Sequence, residues 1–197
     1  HPTKPGGANS WGTYSDPVTL TVTLTEALTS APVVGRPVHF SLGYQEAHGT
    51  TDGTGVAKTS IKIDQRAGVV PLLVSFDGDV EYLSAETQGS VVVKRERPAI
   101  RWIGDVGPAA AKARTVTLGA VLSDDDAKPV RKRRVIFIVG SGSDARKCTG
   151  ITGHDGTARC RVDVSKLPRR QTVAMAFAGD AYYESAAAKK EVIFDER

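Results

Sequence analysis

Two copies of one pattern, 101 residues apart, constrain this chain more than any other feature. Phe76-Asp77-Gly78-Asp79-Val80-Glu81-Tyr82-Leu83-Ser84-Ala85 recurs as Phe177-Ala178-Gly179-Asp180-Ala181-Tyr182-Tyr183-Glu184-Ser185-Ala186, keeping Phe, Gly, Asp, Tyr, Ser and Ala in place. At the same offset Gly55-Val56-Ala57-Lys58 meets Gly156-Thr157-Ala158-Arg159, and Val91 and Val93 meet Val192 and Phe194. Upstream the offset falls to 97, pairing Pro32-Val33 with Pro129-Val130 and Val38-His39-Phe40 with Val135-Ile136-Phe137; Val18-Thr19-Leu20 meets Val116-Thr117-Leu118 at 98. Matching blocks separated by gaps of unequal length are what strands joined by variable loops produce.

The repeat divides the 197 residues into two domains, 1–96 and 97–197, each long enough to bury its own core. The join is placed at Arg95-Glu96-Arg97-Pro98, where a charged run ends in a proline that biases its predecessor toward an extended conformation. So short a connection suggests limited hinge freedom. Val18, Leu20, Val22 and Leu24 alternate with Thr19, Thr21, Thr23 and Thr25, the period of a strand with one buried face. Further strands are expected over 38–42, 56–63, 69–76 and 90–94. The second half repeats them over 116–122, 135–139, 158–164, 172–177 and 191–194, with one more near Cys148. Residues 99–103 add an opening strand to the second half. Residues 1–16 carry no period and read as loop or weakly held edge, so the first half either lacks an opening strand or takes it irregularly from there. No long window keeps helical spacing, and the fold class is all-β, two packed antiparallel sheets per domain.

The order of features reaches a known family. An opening Ile100-Arg101-Trp102-Ile103-Gly104 strand, a Pro17-Val18-Thr19-Leu20 strand and a Gly35-Arg36-Pro37-Val38-His39-Phe40 strand stand beside a Thr51-Asp52-Gly53-Thr54-Gly55-Val56-Ala57 hairpin and the closing Phe-x-Gly-Asp-x-x-Tyr-x-Ser. Together these resemble the bacterial immunoglobulin-like repeat domains of secreted and surface-anchored proteins. The resemblance implies two tandem immunoglobulin-like antiparallel β-sandwiches serving as spacer, stalk or adhesive module, with no shared catalytic residues. Two departures stand out. The first copy lacks both cysteines, and Gly153-His154-Asp155-Gly156 replaces the Thr-Asp pair before the family's glycine.

Cys148 and Cys160 flank the hairpin expected around His154-Asp155-Gly156. Antiparallel pairing around that turn would set them opposite each other at disulfide separation, closing a loop worth roughly 3 kcal/mol on the chain-entropy model. Reduced core thiols and a metal-binding pair are the rivals, although structural zinc needs four ligands and only His154 lies near. Similar repeats of the family carry cysteines in these places, which implies the bridge.

Charge is unevenly spread. Residues 1–96 hold 7 Lys/Arg against 10 Asp/Glu and residues 97–197 hold 19 against 12, so an anionic partner belongs on the second domain. Arg131, Lys132, Arg133 and Arg134, with Arg146, Lys147, Arg169 and Arg170 in neighbouring turns, are the candidate anion-binding residues, for an anionic glycan or a wall polymer. Nucleic acid is not expected, because no aromatic side chains are interleaved as stacking platforms. A solvated loop is the plainer reading of the same charges.

Asp77, Asp79, Asp180 and Asp124-Asp125-Asp126 invite a calcium reading, but calcium wants about six to eight oxygens and Asp-Gly pairs are ordinary turn formers. A site between Glu96, Asp105 and adjacent loops is the alternative. Tyr82 and Tyr183 are read as corner residues packing on the sandwich, with the hydroxyl on backbone. Trp102 is read as core and Trp11 as a loop residue open to solvent. No nucleophile elbow, His-Glu-x-x-His or phosphate loop occurs, so neither enzymatic activity nor a cofactor is expected. No apolar run reaches membrane-helix length and no signal-peptide core opens the chain, so membrane insertion is not expected. An extracellular segment flanked by further domains of a larger protein is the expected setting, with an accessory domain of a secreted enzyme or of a phage tail protein as the alternative.

Overall fold

The computed structural model describes residues 1–6, 9–104 and 115–193. The chain divides into two compact units, His1–Arg95 and Glu96–Arg197. Glu96 opens the second unit because its backbone N–H donates to Tyr182 O and its carbonyl accepts from Glu184 N, both at 2.8 Å.

The first unit contains β1 (Thr3–Gly6), β2 (Asn9–Thr13), β3 (Pro17–Glu26), β4 (Pro37–Leu42), β5 (Gln45–Thr50), β6 (Val56–Lys62), β7 (Gly68–Phe76) and β8 (Ala85–Lys94). They form one sheet in the order β1-β3-β6 and another in the order β2-β8-β7-β4-β5. The second contains β9 (Ala99–Trp102), β10 (Thr115–Ser123), β11 (Arg134–Val139), β12 (Arg146–Ile151), β13 (Thr157–Asp163), β14 (Arg170–Phe177) and β15 (Ala186–Ile193). Its sheets run β13-β10-β9 and β12-β11-β14-β15. Each unit is an immunoglobulin-like two-sheet sandwich, with β3, β4, β5, β6, β7 and β8 repeated as β10 to β15.

Period-two alternation builds both cores. On β3, Val18, Leu20, Val22 and Leu24 point inward while the intervening threonines face out. They meet Phe40 and Leu42 of β4, Ile61 of β6 and Leu72, Val74 and Phe76 of β7 in one buried cluster. Val116, Leu118, Phe137, Val139, Val173 and Met175 do the same in the second unit, with Trp102 half-buried against them. Hydrophobic burial of this kind, at roughly 25 cal/mol per Å² of apolar surface, is the main stabilising term.

The irregular alternative holds for the opening segment, and two expectations change. Within residues 1–16, β1 joins one sheet as an edge strand antiparallel to β3, and β2 joins the other as an edge strand parallel to β8. The opening segment is divided between sheets, which leaves too few residues on either for a legible period. The Thr51–Ala57 segment and its Thr152–Ala158 counterpart are not hairpins. β5 and β6 belong to different sheets, as do β12 and β13, so each turn is a corner at which the chain crosses the sandwich. Finally β5, with no buried residue, was invisible to a hydrophobic period, and β8 and β15 begin several residues earlier than expected because β7 and β14 pair with their polar halves. Phe194 and Asp105 lie outside the described residues.

Candidate functional site

The repeated signature is tied to an arginine that arrives from another part of the chain. In the first unit, Arg36 N donates to Thr51 Oγ1 at 2.9 Å, and its guanidinium Nε and Nη2 reach Asp79 Oδ2 and Glu81 Oε2. The same guanidinium lies 5.3 Å from the Tyr82 ring centroid, within cation–π range. Asp79 Oδ1 accepts from the backbone N–H groups of Glu81 and Tyr82, each at 2.8 Å. The Glu81 N–H, then that of Tyr82 and the Arg36 guanidinium, hold the Asp79 carboxyl below the usual range against partial desolvation.

The second unit repeats the knot with Tyr182 at the position of Glu81, so that among the described residues its arginine has one carboxylate partner in place of two. Arg133 N donates to Thr152 Oγ1 at 2.8 Å, Arg133 pairs with Asp180, and its guanidinium stands 5.4 Å from the Tyr183 centroid. Asp180 Oδ1 accepts from Tyr182 N at 2.8 Å and Tyr183 N at 2.9 Å. Asp79 and Asp180 are therefore occupied turn formers, which removes them from the calcium reading. Arg133 is occupied too, by this internal pair. Arg36 and Arg133 match at offset 97, and Thr51 and Thr152 at 101; that agreement was the available signal for the role of these four residues.

The other candidate cations fall into two groups. Arg131, Lys132 and Arg134 are exposed where β11 begins. Half-buried Arg146 and exposed Lys147 open β12, and exposed Arg169 and Arg170 lie where β14 begins. Arg134 begins β11 and Arg146 lies opposite its other end at Val139, a span of about 17 Å at strand rise. The eight residues do not form one cluster. Arg146 Nη1 donates to Asp144 O at 3.3 Å, and Arg170 stands 3.8 Å from Glu191. Arg170 also lines a cleft of about 290 Å³ with Ser141, Asp144, Pro168 and Gln171, beside a β11–β12 loop four residues longer than its β4–β5 counterpart.

Cys148 of β12 and Cys160 of β13 form a disulfide with Cα atoms 5.9 Å apart. Because those strands belong to different sheets, the bond staples the sandwich across its edge and does not close a hairpin. Phe137 faces Cys148 as Phe40 faces Ala47, and Leu118 faces Cys160 as Leu20 faces Thr59. Ala47 and Thr59 therefore hold the cysteine positions in the first unit.

Asp124, Asp126 and Asp155 serve their own loops. Asp124 is buried and its Oδ1 accepts from Lys128 N at 2.7 Å, while Asp126 pairs with Lys128. Asp155 accepts from Thr157 N and Oγ1, and the Thr157 backbone N–H leads in pulling its carboxyl below the usual range. Trp102 is half-buried, 6.4 Å from Phe137 between centroids, with Lys190 Nζ 5.0 Å from its ring. Trp11 is 65% exposed and carries Lys94 Nζ at 4.5 Å. Tyr183 is buried and Tyr82 half-buried against the core.

No protein-family model matches this chain, and no curated protein matches it. Solved structures do. A tetra-tandem repeat in the extending region of a large adhesion protein aligns over 98% of the chain at 17% identity and a TM-score of 0.54, with 49% of its own length covered. Invasin, a bacterial integrin-binding protein, aligns over 98% of the chain at 17% identity and a TM-score of 0.57, with 38% of its length covered. The chain thus spans half or less of these solved chains, and the likeness establishes the shared fold. Among the described residues no helix is long and apolar enough to cross a membrane.

Proposed function

We propose that the chain is a non-enzymatic spacer segment of a larger bacterial extracellular or surface protein, in which two domains fold about their own cores and hold flanking domains apart. One observation carries this reading: the residues common to both copies are used up by packing and by the Arg-Asp-Tyr knot, with the shared aspartates bonded to backbone and guanidinium. The fold shared with a repeat from an extending region supports it. So does the disulfide, which persists in oxidising compartments outside the cytosol. Its partners are then the neighbouring domains, and it needs no cofactor.

A second reading has a specific observation in its favour. Arg131, Lys132 and Arg134 are exposed together on the half of the chain whose formal balance is +7, suited to an anionic glycan or wall polymer. Chromatography on immobilised heparin separates the two. As a spacer, the chain elutes at low salt and the triple reversal R131E/K132E/R134E does not change its elution. Retention that the reversal abolishes, and that falls with salt, assigns binding to that end of the second unit.

A further inference from the structure

On the outer face of the five-stranded sheet of the first unit, His39 of β4 and His48 of β5 are direct cross-strand partners. Their rings meet edge to face, with centroids 4.4 Å apart and planes at 80°. His39 Nε2 lies 3.6 Å from Asp77 Oδ2, and the two side chains are 45% and 80% exposed. That separation is too long for a hydrogen bond. It is close to the spacing of two ligands on one ion, since atoms about 2.0–2.1 Å from a tetrahedral zinc stand about 3.4 Å from each other. Asp77 also borders a shallow hollow with Ser75 and Glu86, and those two residues continue the cross-strand row from His39. The open side of the histidine pair is therefore lined with oxygen atoms.

We propose that His39, His48 and Asp77, exposed side chains whose ligand atoms do not all lie within 4.8 Å of one another until the imidazoles turn, form a binding site for a divalent first-row transition ion of the zinc class. Two imidazole nitrogens and a carboxylate suit zinc, copper and nickel and do not suit calcium, which prefers an all-oxygen shell. Three protein ligands leave a position open to water or to a group from another molecule. The second copy sharpens the argument. At the three equivalent positions it carries Ile136, Thr149 and Ala178, while the adjacent packed residues Phe40, Phe76 and Gly78 persist as Phe137, Phe177 and Gly179. The fold keeps what it needs, and it does not need this trio.

Calorimetric titration of the full chain with zinc chloride tests the site, with calcium chloride as the comparison and the metal-free melting temperature as the check on folding. One equivalent of zinc and no calcium should bind. H39A, H48A and D77N should each weaken zinc binding by at least about tenfold, the scale on which even supporting residues of metal sites act, with metal-free melting unchanged. H1A and H154A should bind as the parent chain does. I136H/T149H/A178D should add a second equivalent. Failure to bind zinc, binding that survives H39A/H48A, or binding lost with H1A or H154A overturns the proposal.

Discussion

At Lys132 the backbone sits at φ +56°, the left-handed region, where the first unit has Gly35 at +71°. A non-glycine residue there costs roughly 1 kcal/mol or more relative to glycine. A Cβ placed on Gly35 would meet no atom within 4 Å, so the cost is one of backbone alone. Lys132→Gly should therefore stabilise the second unit by about 0.5–1 kcal/mol, and Gly35→Ala should destabilise the first by a similar amount, both read from urea midpoints. Opposite signs on either pair would mean that side-chain contacts outweigh the backbone term. The residue next along shows how far sequence carries at this scale. Arg133 reads as the third of four adjacent cations, and only its alignment with Arg36 separates it from its neighbours. Charge clustering records which residues are near in sequence; the ion pair to Asp180 depends on which strand ends meet.

Among the elements, alternation exposed the strands that bury one face, β3, β4, β7, β10, β11 and β14. It failed for β5, which has no buried side chain, and for the opening segment divided between two sheets. The corner at Asp52 and its counterpart at Asp155 were mistaken for hairpin turns for a physical reason. An aspartate accepting from nearby backbone N–H groups, followed by glycine at positive φ, reverses the chain equally well within a sheet or between sheets. Nothing local states which sheet receives the next strand. The edges do approach closely there: a Cβ on Gly49 or Gly150 would lie 2.8 Å from backbone of the facing strand. The first unit thus has the geometry for the cross-sheet staple without the sulfur atoms. A47C/T59C should oxidise to a second disulfide, detectable by intact mass, and raise the stability of the first unit by up to about 3 kcal/mol over its reduced form. Two free thiols under oxidising conditions would show that the two units differ in edge spacing.

For the whole molecule, the comparison between copies separates what the fold requires from what it leaves open. Both share the inward residues and the Arg-Asp-Tyr knot; they differ in the staple, the exposed cations and the histidine pair. That division was half legible from the chain, because repetition marks common positions without saying which of them face inward. The spacer reading rests on two domains that resist extension separately. Stretching single molecules of the full chain tests it most directly. The account predicts two unfolding events, each releasing roughly 300 Å of chain at about 3.5 Å per residue. Reduction of Cys148–Cys160 should lengthen one event by about 40 Å, because the bond spans 12 positions of sequence. A single event, or extension without a resisting step, would contradict it.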